Sequence, residues 1–291
     1  MKLYGLATKS QVKIFTKLEK KNMNALLRYF GGKNTMKSKI IELIPDYKHF
    51  RSVFLGSGGV EFSLSPINSS EIWNDLDGEL TNFYQILQNR HTFQEFATTC
   101  ELTMFSEVEF EKAKHRLDIP LNYFGPSVPR ALSFFIRNRF SRGGDGVSFA
   151  TSTSRLRRKM NEQVSSWLSV VDGLEDFHQR CKYVEIRKMH FREFIPKFDI
   201  PESFFYLDPP YYPTTRTAGG YEFEMSELEH EELLELLQDI SGNFLLHGYK
   251  NPLYATFAEK NGWREKSFEV SKSSSSSKTK PKALETVWMN Y

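Results

Sequence analysis

Short apolar segments of strand length alternate with helical patterns along this chain, and this alternation restricts the fold more than any other feature. Strands are predicted over 50–56, 71–75, 181–186, 203–207 and 243–249. Between them lie segments whose apolar side chains recur with the spacing of one helical face. Strands that alternate with helices predict an α/β fold in which helices cover both faces of one sheet.

Two of the predicted helices have clear sequence markers. The first has apolar side chains at i, i+3, i+4 and i+7, which are Leu80, Phe83, Tyr84 and Leu87. The second begins with a capping box of Ser226 and Glu229, in which each side chain bonds to the other residue's backbone. Its inner face is predicted to contain Leu233, Leu236, Leu237 and Ile240.

Residues 96–178 interrupt the alternation, because they contain no clear strand. A helix in this segment has an apolar face formed by Val164, Trp167, Leu168 and Val171. Residues 130–160 are strongly cationic, with seven arginines and Lys159 against Asp145 alone. Since the whole chain has a net charge of only +3, this basic segment predicts a polyanionic partner. A solvated charged surface without a partner is the alternative.

The composition argues against several classes of protein. No run of about 18 apolar residues is available to cross a membrane, and the N-terminus lacks the apolar stretch of a secretory signal. Cys100 and Cys181 are too few for a disulfide framework and are not spaced as metal ligands. We expect a cytoplasmic protein without a metal, and we also expect it to be monomeric. Residues 1–22 have the composition of a basic flexible arm, and 272–282 that of a mobile loop.

The segment FFYLDPPYYP, residues 204–213, ends a strand at a carboxylate. Pro209 and Pro210 cannot continue a sheet because they lack an N–H group, and ligands of open α/β sheets bind beyond the carboxyl ends of the strands. Asp208 and a rigid carbonyl provide two acceptors, and Tyr211 adds a flat stacking face. This corner suits a planar ring that bears an amino group. An ordinary turn that caps a strand is the alternative.

A glycine-rich segment, FLGSGG at 54–59, follows the first predicted strand. Its glycines let a ligand approach the backbone where the strand turns. Asp75 ends the next predicted strand, about 20 residues after Gly56, and an acid at such a place accepts hydrogen bonds from ribose hydroxyls. The two features suggest a ligand that contains adenosine. The loop is neither GxGxxG nor a P-loop, which argues against a dinucleotide and against ATP.

Several segments together resemble the Dam-type DNA adenine methyltransferases, the alpha group of amino methyltransferases that use S-adenosylmethionine. In chain order they are RYFGGK (28–33), FLGSGG (54–59), WND (73–75), MHF (189–191), DPPY (208–211), LLHGYKNPLY (245–254) and LETVWMNY (284–291). The resemblance extends from about Met23 to Tyr291. Two positions depart from the family pattern: Ser52 stands where many relatives have an acid, and His247 stands where other members read SGY.

The resemblance implies an α/β fold with a Rossmann-like methyltransferase sheet and an inserted, mostly helical DNA target-recognition domain. It places the catalytic domain, which binds S-adenosylmethionine, at 23–95 and 179–291, and the target-recognition domain at 96–178. The implied partner is double-stranded DNA. The implied reaction moves a methyl group from S-adenosylmethionine to the N6 amine of a flipped adenine and needs no metal.

The resemblance also assigns roles to individual residues. The catalytic residues are Asp208, Pro209, Pro210 and Tyr211. Cofactor binding is expected from Tyr29, Phe30, Gly31, Gly32, Lys33, Phe54, Gly56, Ser57, Gly58, Asp75, His190, Phe191 and Asp208. DNA contacts are expected from Arg137, Asn138, Arg139, Arg142, Arg155, Arg157 and Arg158. Without the resemblance, an aromatic such as Phe191 after a strand indicates a core residue.

The sequence leaves other functions open. An RNA or cytosine amino methyltransferase uses a related tetrapeptide on another planar amine, and a catalytically silent relative binds DNA without transferring a methyl group. Asp75 and Asp208 argue against the silent relative. The recognition sequence, a restriction partner in a restriction-modification system, and a phage or bacterial origin stay open as well.

Overall fold

The computed structural model describes residues 23, 25–28, 36–67, 69–120, 125–213, 223–271 and 282–291. The chain divides into two compact units. The first comprises Met1–Leu43, Gly56–Ser70 and Asp77–Ile186, and the second comprises Ile44–Leu55, Glu71–Leu76 and Arg187–Tyr291. The predicted arm lies outside the described residues, and so does the predicted mobile loop except for Lys282. The domain boundaries at 95/96 and 178/179 stay a prediction.

A mixed sheet is the main β-structure of the described residues. The strands are β1 (His49–Ser52), β2 (Ser70–Asn74), β3 (Leu156–Arg157), β4 (Met160–Asn161), β5 (Val184–Arg187), β6 (Ser203–Leu207), β7 (Asn243–Tyr249), β8 (Arg264–Ser271) and β9 (Lys282–Met289). The 7-stranded sheet has the order β5-β2-β1-β6-β7-β9-β8, and β3 pairs with β4 in a separate hairpin. β6 is parallel to β1 and β7, whereas β9 is antiparallel to β7 and β8.

The parallel centre of the sheet determines where a ligand can bind. All five side chains of β6 are buried, as expected for a central strand that is covered on both faces. Because β1, β6 and β7 run in the same direction, their carboxyl ends meet at one edge of the sheet. Ligands of parallel sheets bind at that edge.

Helices cover and connect the strands. They are α1 (Lys37–Ile41), α2 (Gly78–Gln88), α3 (Arg90–Leu102), α4 (Glu107–Asp118), α5 (Val128–Phe140), α6 (Glu162–Val171), α7 (Leu174–Cys181), α8 (Phe191–Phe198), α9 (Glu227–Gln238) and α10 (Pro252–Asn261). The capping box predicted from Ser226 and Glu229 is present at the start of α9. Among the described residues, no helix is long and apolar enough to span a membrane.

The second unit has an apolar core between its sheet strands and its helices. Phe194 of α8 and Leu233 and Leu237 of α9 belong to one buried cluster with Phe205 of β6 and Leu246 of β7. Complete burial of such a side chain stabilises the folded state by about 1.5–3 kcal/mol. This cluster fixes β6 and β7, and therefore fixes the residues that follow β6.

The first unit is mostly helical, and aromatic rings form its core. The rings of Phe83 in α2, Phe96 in α3 and Phe135 in α5 contact one another, with centroids 5.4 to 5.8 Å apart. Trp167 of α6 lies 5.3 Å from Phe135. Aromatic pairs at such distances contribute stabilisation beyond the area that they bury. The core thus joins the helices on both sides of the basic segment.

The structure confirms some of the predicted elements and corrects others. The strands predicted at 203–207 and 243–249 are present with the same bounds. The strand predicted over 181–186 begins only at Val184, because Cys181 ends helix α7. The first predicted strand is also shorter and ends at Ser52.

The segment 96–178, which has no clear strand in its sequence, contains a short hairpin formed by β3 and β4. Each of these strands has only two residues, which is too short for a periodicity to show. The predicted inner faces of two helices are also partly wrong. Leu168 of α6 is 41% exposed, and in α9 Leu234 is completely buried whereas Leu236 is only partly buried.

Candidate active site

Asp208 lies at the carboxyl end of β6, between the ends of β1 and β7. The strand ends there because Pro209 and Pro210 have no N–H group to continue the ladder. The Asp208 side chain is 22% exposed, although Leu207 before it is completely buried. The carboxylate is therefore held by a rigid strand and is still accessible to a ligand at the edge where parallel sheets bind ligands.

A histidine and a second carboxylate lie next to Asp208. The side chain of His247 in β7 is completely buried. Its Nδ1 lies 3.4 Å from Asp208 Oδ1, and its Nε2 lies 3.2 Å from Oε2 of Glu285 in β9. The imidazole thus stands between two carboxylates that come from different strands.

Strand register explains this arrangement. In the parallel pair of β6 and β7, Leu207 is opposite Leu246, so the next residues, Asp208 and His247, are also neighbours. In the antiparallel pair of β7 and β9, Glu285 is opposite Tyr249. Because side chains alternate along a strand, His247 and Tyr249 project from the same face of β7. Glu285 reaches both of them.

Two tyrosines complete this corner. The Tyr211 ring is 5% exposed and makes an edge-to-face contact with Tyr249, with centroids 4.6 Å apart. The Tyr211 hydroxyl lies 3.4 Å from His247 Nδ1. The Tyr249 hydroxyl donates to Glu285 Oε1 over 3.4 Å. Stacking of Tyr211 on a target base stays a prediction, and it requires the buried ring to become accessible when the base enters.

The environment of Tyr249 keeps its hydroxyl protonated. Burial and, next, the Glu285 carboxylate raise the pKa of Tyr249 to about 12. The hydrogen bond to Glu285 and the charge of Asp208 act in the same direction. At neutral pH the side chain is therefore a hydrogen-bond donor to Glu285 and carries no charge of its own.

Asn74 joins three backbone segments at the end of β2. Its Nδ2 donates to the carbonyls of Val53 and Met189, both over 3.0 Å, and its Oδ1 accepts from the Met189 N–H over 2.9 Å. The side chain is 1% exposed. Asp75 follows it, is partly exposed, and donates its N–H to the carbonyl of Arg187. Asp75, the residue predicted to bind the ribose, therefore lies just beyond a rigid strand end.

His190 and Phe191 mark the start of α8. His190 is the N-cap residue, and its Nδ1 accepts from the N–H of Arg192. Its Nε2 lies 3.5 Å from Glu229 Oε1. Phe191 is 4% exposed and packs against Phe54, with centroids 6.1 Å apart. The structure therefore makes Phe191 a core residue, and the predicted cofactor contacts of all three residues stay predictions.

The glycine-rich segment belongs to the first unit from Gly56 onwards. Gly56 and Gly58 have φ of 51° and 67°, a region that favours glycine. A Cβ at Gly58 would lie 2.8 Å from the Phe62 ring. The Tyr84 hydroxyl donates to the Gly56 carbonyl, and Ser57 is buried. The turn itself thus requires glycine, whether or not a ligand binds. The predicted cofactor residues 29–33 lie outside the described residues.

Part of the basic segment is buried inside the first unit. Asn138 accepts from the N–H of Arg28 over 2.7 Å and donates to its carbonyl over 2.6 Å. Arg139 donates to Ser166 Oγ over 3.0 Å. Burial first, and then the charges of Arg28 and Arg157, lower the pKa of Arg139 to about 9. Asn138 and Arg139 therefore have internal partners in the structure.

Arginines in the later part of the basic segment are exposed. Arg142, Arg155 and Arg157 are exposed, and the last of these lies in the β3–β4 hairpin. Arg158 and Lys159 form the tip of that hairpin with φ of 51° and 62°. The Arg158 guanidinium donates to Ser165 in α6, and Arg137 lies over the Phe134 ring at 6.0 Å. The hairpin thus displays cations on a tightly folded turn.

Sequence patterns missed the residues that support Asp208. His247 and Glu285 come together only through the pairing of β7 with β9, which periodicity does not reveal. The sequence contains one indication of this contact, which is the polar residue His247 inside the apolar strand NFLLHGY. Buried polar groups need partners, so a partner for His247 is expected in the folded protein. Across the described ranges, no three His, Cys, Asp or Glu side chains are arranged to hold a metal ion.

Comparisons with known proteins bear on this geometry. The model of the D12 class N6 adenine-specific DNA methyltransferase family matches residues 29–272. The chain is also similar to the Type II methyltransferase M1.LlaDCHI of Lactococcus lactis subsp. cremoris. The two are 23% identical over 233 residues, which cover 74% of this chain and 75% of that protein. The matched range includes Asp75, Asp208 and His247.

Proposed function

Because this chain belongs to the D12 class of N6 adenine-specific DNA methyltransferases, we propose that Asp208 and the Pro209 carbonyl hold the amino group of the target adenine. The enzyme transfers a methyl group to adenine N6 in DNA. The observation that carries the site assignment is the position of Asp208, a partly exposed carboxylate at the carboxyl end of the central parallel strand.

The two acceptors account for activation of a weak nucleophile. The lone pair of the adenine amine is delocalised into the ring. When both N–H groups point at acceptors, the nitrogen can become pyramidal and direct its lone pair at the methyl group. Hydrogen bonds to a charged group contribute about 1.5–3 kcal/mol, and these bonds strengthen as positive charge develops on nitrogen. Asp208 is needed as a carboxylate, and a strong base is not required.

The methyl donor is S-adenosylmethionine in this proposal, and it supplies an electrophilic methyl group when bound. Asp75 would accept hydrogen bonds from the ribose hydroxyls, since it is a partly exposed acid directly after a buried strand. His190 is also partly exposed. Together with Phe54 and Phe191, it would lie beside the adenine ring of the cofactor. Cofactor binding by Gly56, Ser57, Gly58 and residues 29–33 stays a prediction.

Exposed arginines support the proposed DNA contact. Arg142, Arg155 and Arg157 are exposed, and Arg155 gives up only a long, exposed contact with Glu162 at 3.9 Å when it binds a phosphate. Asn138 and Arg139 instead have buried internal partners. Phosphate contacts give salt-sensitive affinity, and an arginine can read guanine through two hydrogen bonds. Extrusion of the target adenine costs a few kcal/mol. We propose 96–178 as the target-recognition domain on this basis.

The biological setting is also a proposal. The relative from Lactococcus lactis is named a Type II methyltransferase, which supports a role for this chain beside a restriction endonuclease. We propose that the protein acts as a monomer in a bacterial cytoplasm or an infected cell.

A methyl-transfer assay tests the function. Duplex DNA, single-stranded RNA and adenine-free duplexes of G·C pairs are incubated with tritiated S-adenosylmethionine, and modified bases are identified after digestion. Label in N6-methyladenine of duplex DNA is expected. Asp208→Ala should abolish the label and leave duplex affinity within about threefold, because the change removes only the acceptor. A mutant that retains normal transfer would refute the role of Asp208.

A further inference from the structure

His247 is an unusual residue for its place in the sheet. It is the polar residue among the buried central residues of the strand NFLLHGY, and its own side chain is completely buried. A buried polar group is costly unless it has partners. The proposed methyl transfer assigns no role to this imidazole, so its partners indicate what it does.

Titratable groups from three elements face the imidazole. Asp208 and Tyr211 come from the segment after β6, with oxygen atoms 3.4 Å from Nδ1. Glu285 comes from β9, with Oε2 3.2 Å from Nε2. Tyr249, on the same strand as the histidine, donates to the other oxygen of Glu285. The imidazole therefore bridges an accessible carboxylate and one that is 11% exposed.

We propose that His247, held by Glu285, is a positioning residue that fixes the orientation of the Asp208 carboxylate. This inference rests on the proposed role of Asp208. His247 does not reach the substrate, because its side chain has no exposed surface. It acts through Asp208: Nδ1 lies 3.4 Å from that carboxylate and Nε2 lies 3.2 Å from the Glu285 carboxylate. Donation to both carboxylates requires an N–H on each ring nitrogen, so this role belongs to the imidazolium form.

Rate, more than binding, should depend on this restraint. The Asp208 oxygen must meet an N–H group of a base that enters only for the reaction. A displacement of about 1 Å in such a group can reduce the rate about a hundredfold. A serine at this position could contact only one of the two carboxylates, since its side chain ends one atom beyond Cβ.

The experiment measures single-turnover methyl transfer to duplex DNA with saturating cofactor. His247→Ser should reduce the rate at least about tenfold, while the dissociation constants for DNA and cofactor change less than about threefold. His247→Asn should recover part of the rate, because its amide group is two bonds from Cβ, as Nδ1 is. Glu285→Gln should cause a smaller loss.

A double-mutant cycle tests whether Glu285 acts through His247. If it does, His247→Ser with Glu285→Gln should be no slower than His247→Ser alone. Independent losses that add would overturn the proposal. A normal rate in His247→Ser would also overturn the proposal. If the serine variant does not fold, normal rates in both His247→Asn and Glu285→Gln would overturn it.

His230 provides a matched control. It is also a completely buried histidine of the second unit, but its Nδ1 lies 2.8 Å from the Tyr254 hydroxyl. His230→Asn should lower the melting temperature without changing the single-turnover rate well below that temperature. An equal loss of rate in this control would overturn a specific role of His247. Failure of the wild-type enzyme to methylate any duplex would instead refute the proposed function.

Discussion

The corner around Asp208 and the basic segment around the β3–β4 hairpin use polar residues in opposite ways. At the corner, His247 and Glu285 are buried and have partners on neighbouring strands. In the basic segment, Arg142, Arg155 and Arg157 project into solvent. A buried polar network restricts how a side chain is oriented, whereas accessible charge suits contact with a polyanion.

The largest effect should come from the buried network that supports the sheet edge. Asn74→Ala leaves the carbonyls of Val53 and Met189 without the amide that they bond, so we expect a loss of about 3–5 kcal/mol in the free energy of unfolding. Urea denaturation followed by circular dichroism measures it. Arg155→Ala is the matched control in the basic segment, and its change should stay within about 0.5 kcal/mol. If Asn74→Ala and Arg155→Ala lowered the free energy of unfolding equally, the contrast between the two regions would be wrong.

A smaller effect should follow from neutralising the exposed charges. The combined change of Arg142, Arg155 and Arg157 to Ala should weaken duplex binding by about 2 kcal/mol, or about thirtyfold. The slope of log affinity against log salt should fall by about 2.7, which is about 0.9 for each phosphate contact. Fluorescence anisotropy at several salt concentrations measures both quantities.

The transfer step should be unaffected by the same triple change when DNA is saturating. Unchanged salt dependence would mean that these arginines form only a solvated surface. Arg116→Ala with Lys112→Ala, two changes on α4, provides a control for general loss of positive charge in the first unit.

The smallest effect should come from the hairpin tip. Arg158 and Lys159 have positive φ, which costs a non-glycine residue about 1 kcal/mol or more. Arg158→Asn with Lys159→Gly supplies the residues that such a turn favours. The gain is partly offset by lost hydrogen bonds from Arg158 to Ser165, so we expect a net stabilisation of about 0.5 kcal/mol in thermal unfolding. A net loss would show that those bonds outweigh the backbone cost.

The sequence predicted the parts of the fold that depend on local patterns. The strands at 203–207 and 243–249 and the capping box at Ser226 have strong local determinants, and the structure confirms them. The hairpin at β3 and β4 was missed because two-residue strands have no periodicity. The segment CKYVEI predicts a strand from Cys181, because its apolar residues alternate with charged ones and do not show where the preceding helix ends.

The acids of the candidate site could be predicted from the sequence, but their contacts with other side chains could not. Asp208 and Asp75 follow strand-like segments, so their position at strand ends could be read from the sequence. The contact of His247 with Glu285 depends on the register of β7 and β9, which is set by long-range pairing. The internal bonds of Asn138 and Arg139 likewise depend on the placement of α5 against Arg28 and α6. Neither relation appears in a sequence pattern.

The position of β9 has a consequence for how the protein is made. β9 is the last described strand, yet it lies between β7 and β8 and carries Glu285. During synthesis, which adds about 5–20 residues per second, the DPPY tetrapeptide leaves the ribosome well before Glu285 does. The nascent chain therefore holds Asp208 for several seconds without its complete surroundings. Methylating ability should arise only after β9 has inserted between β7 and β8.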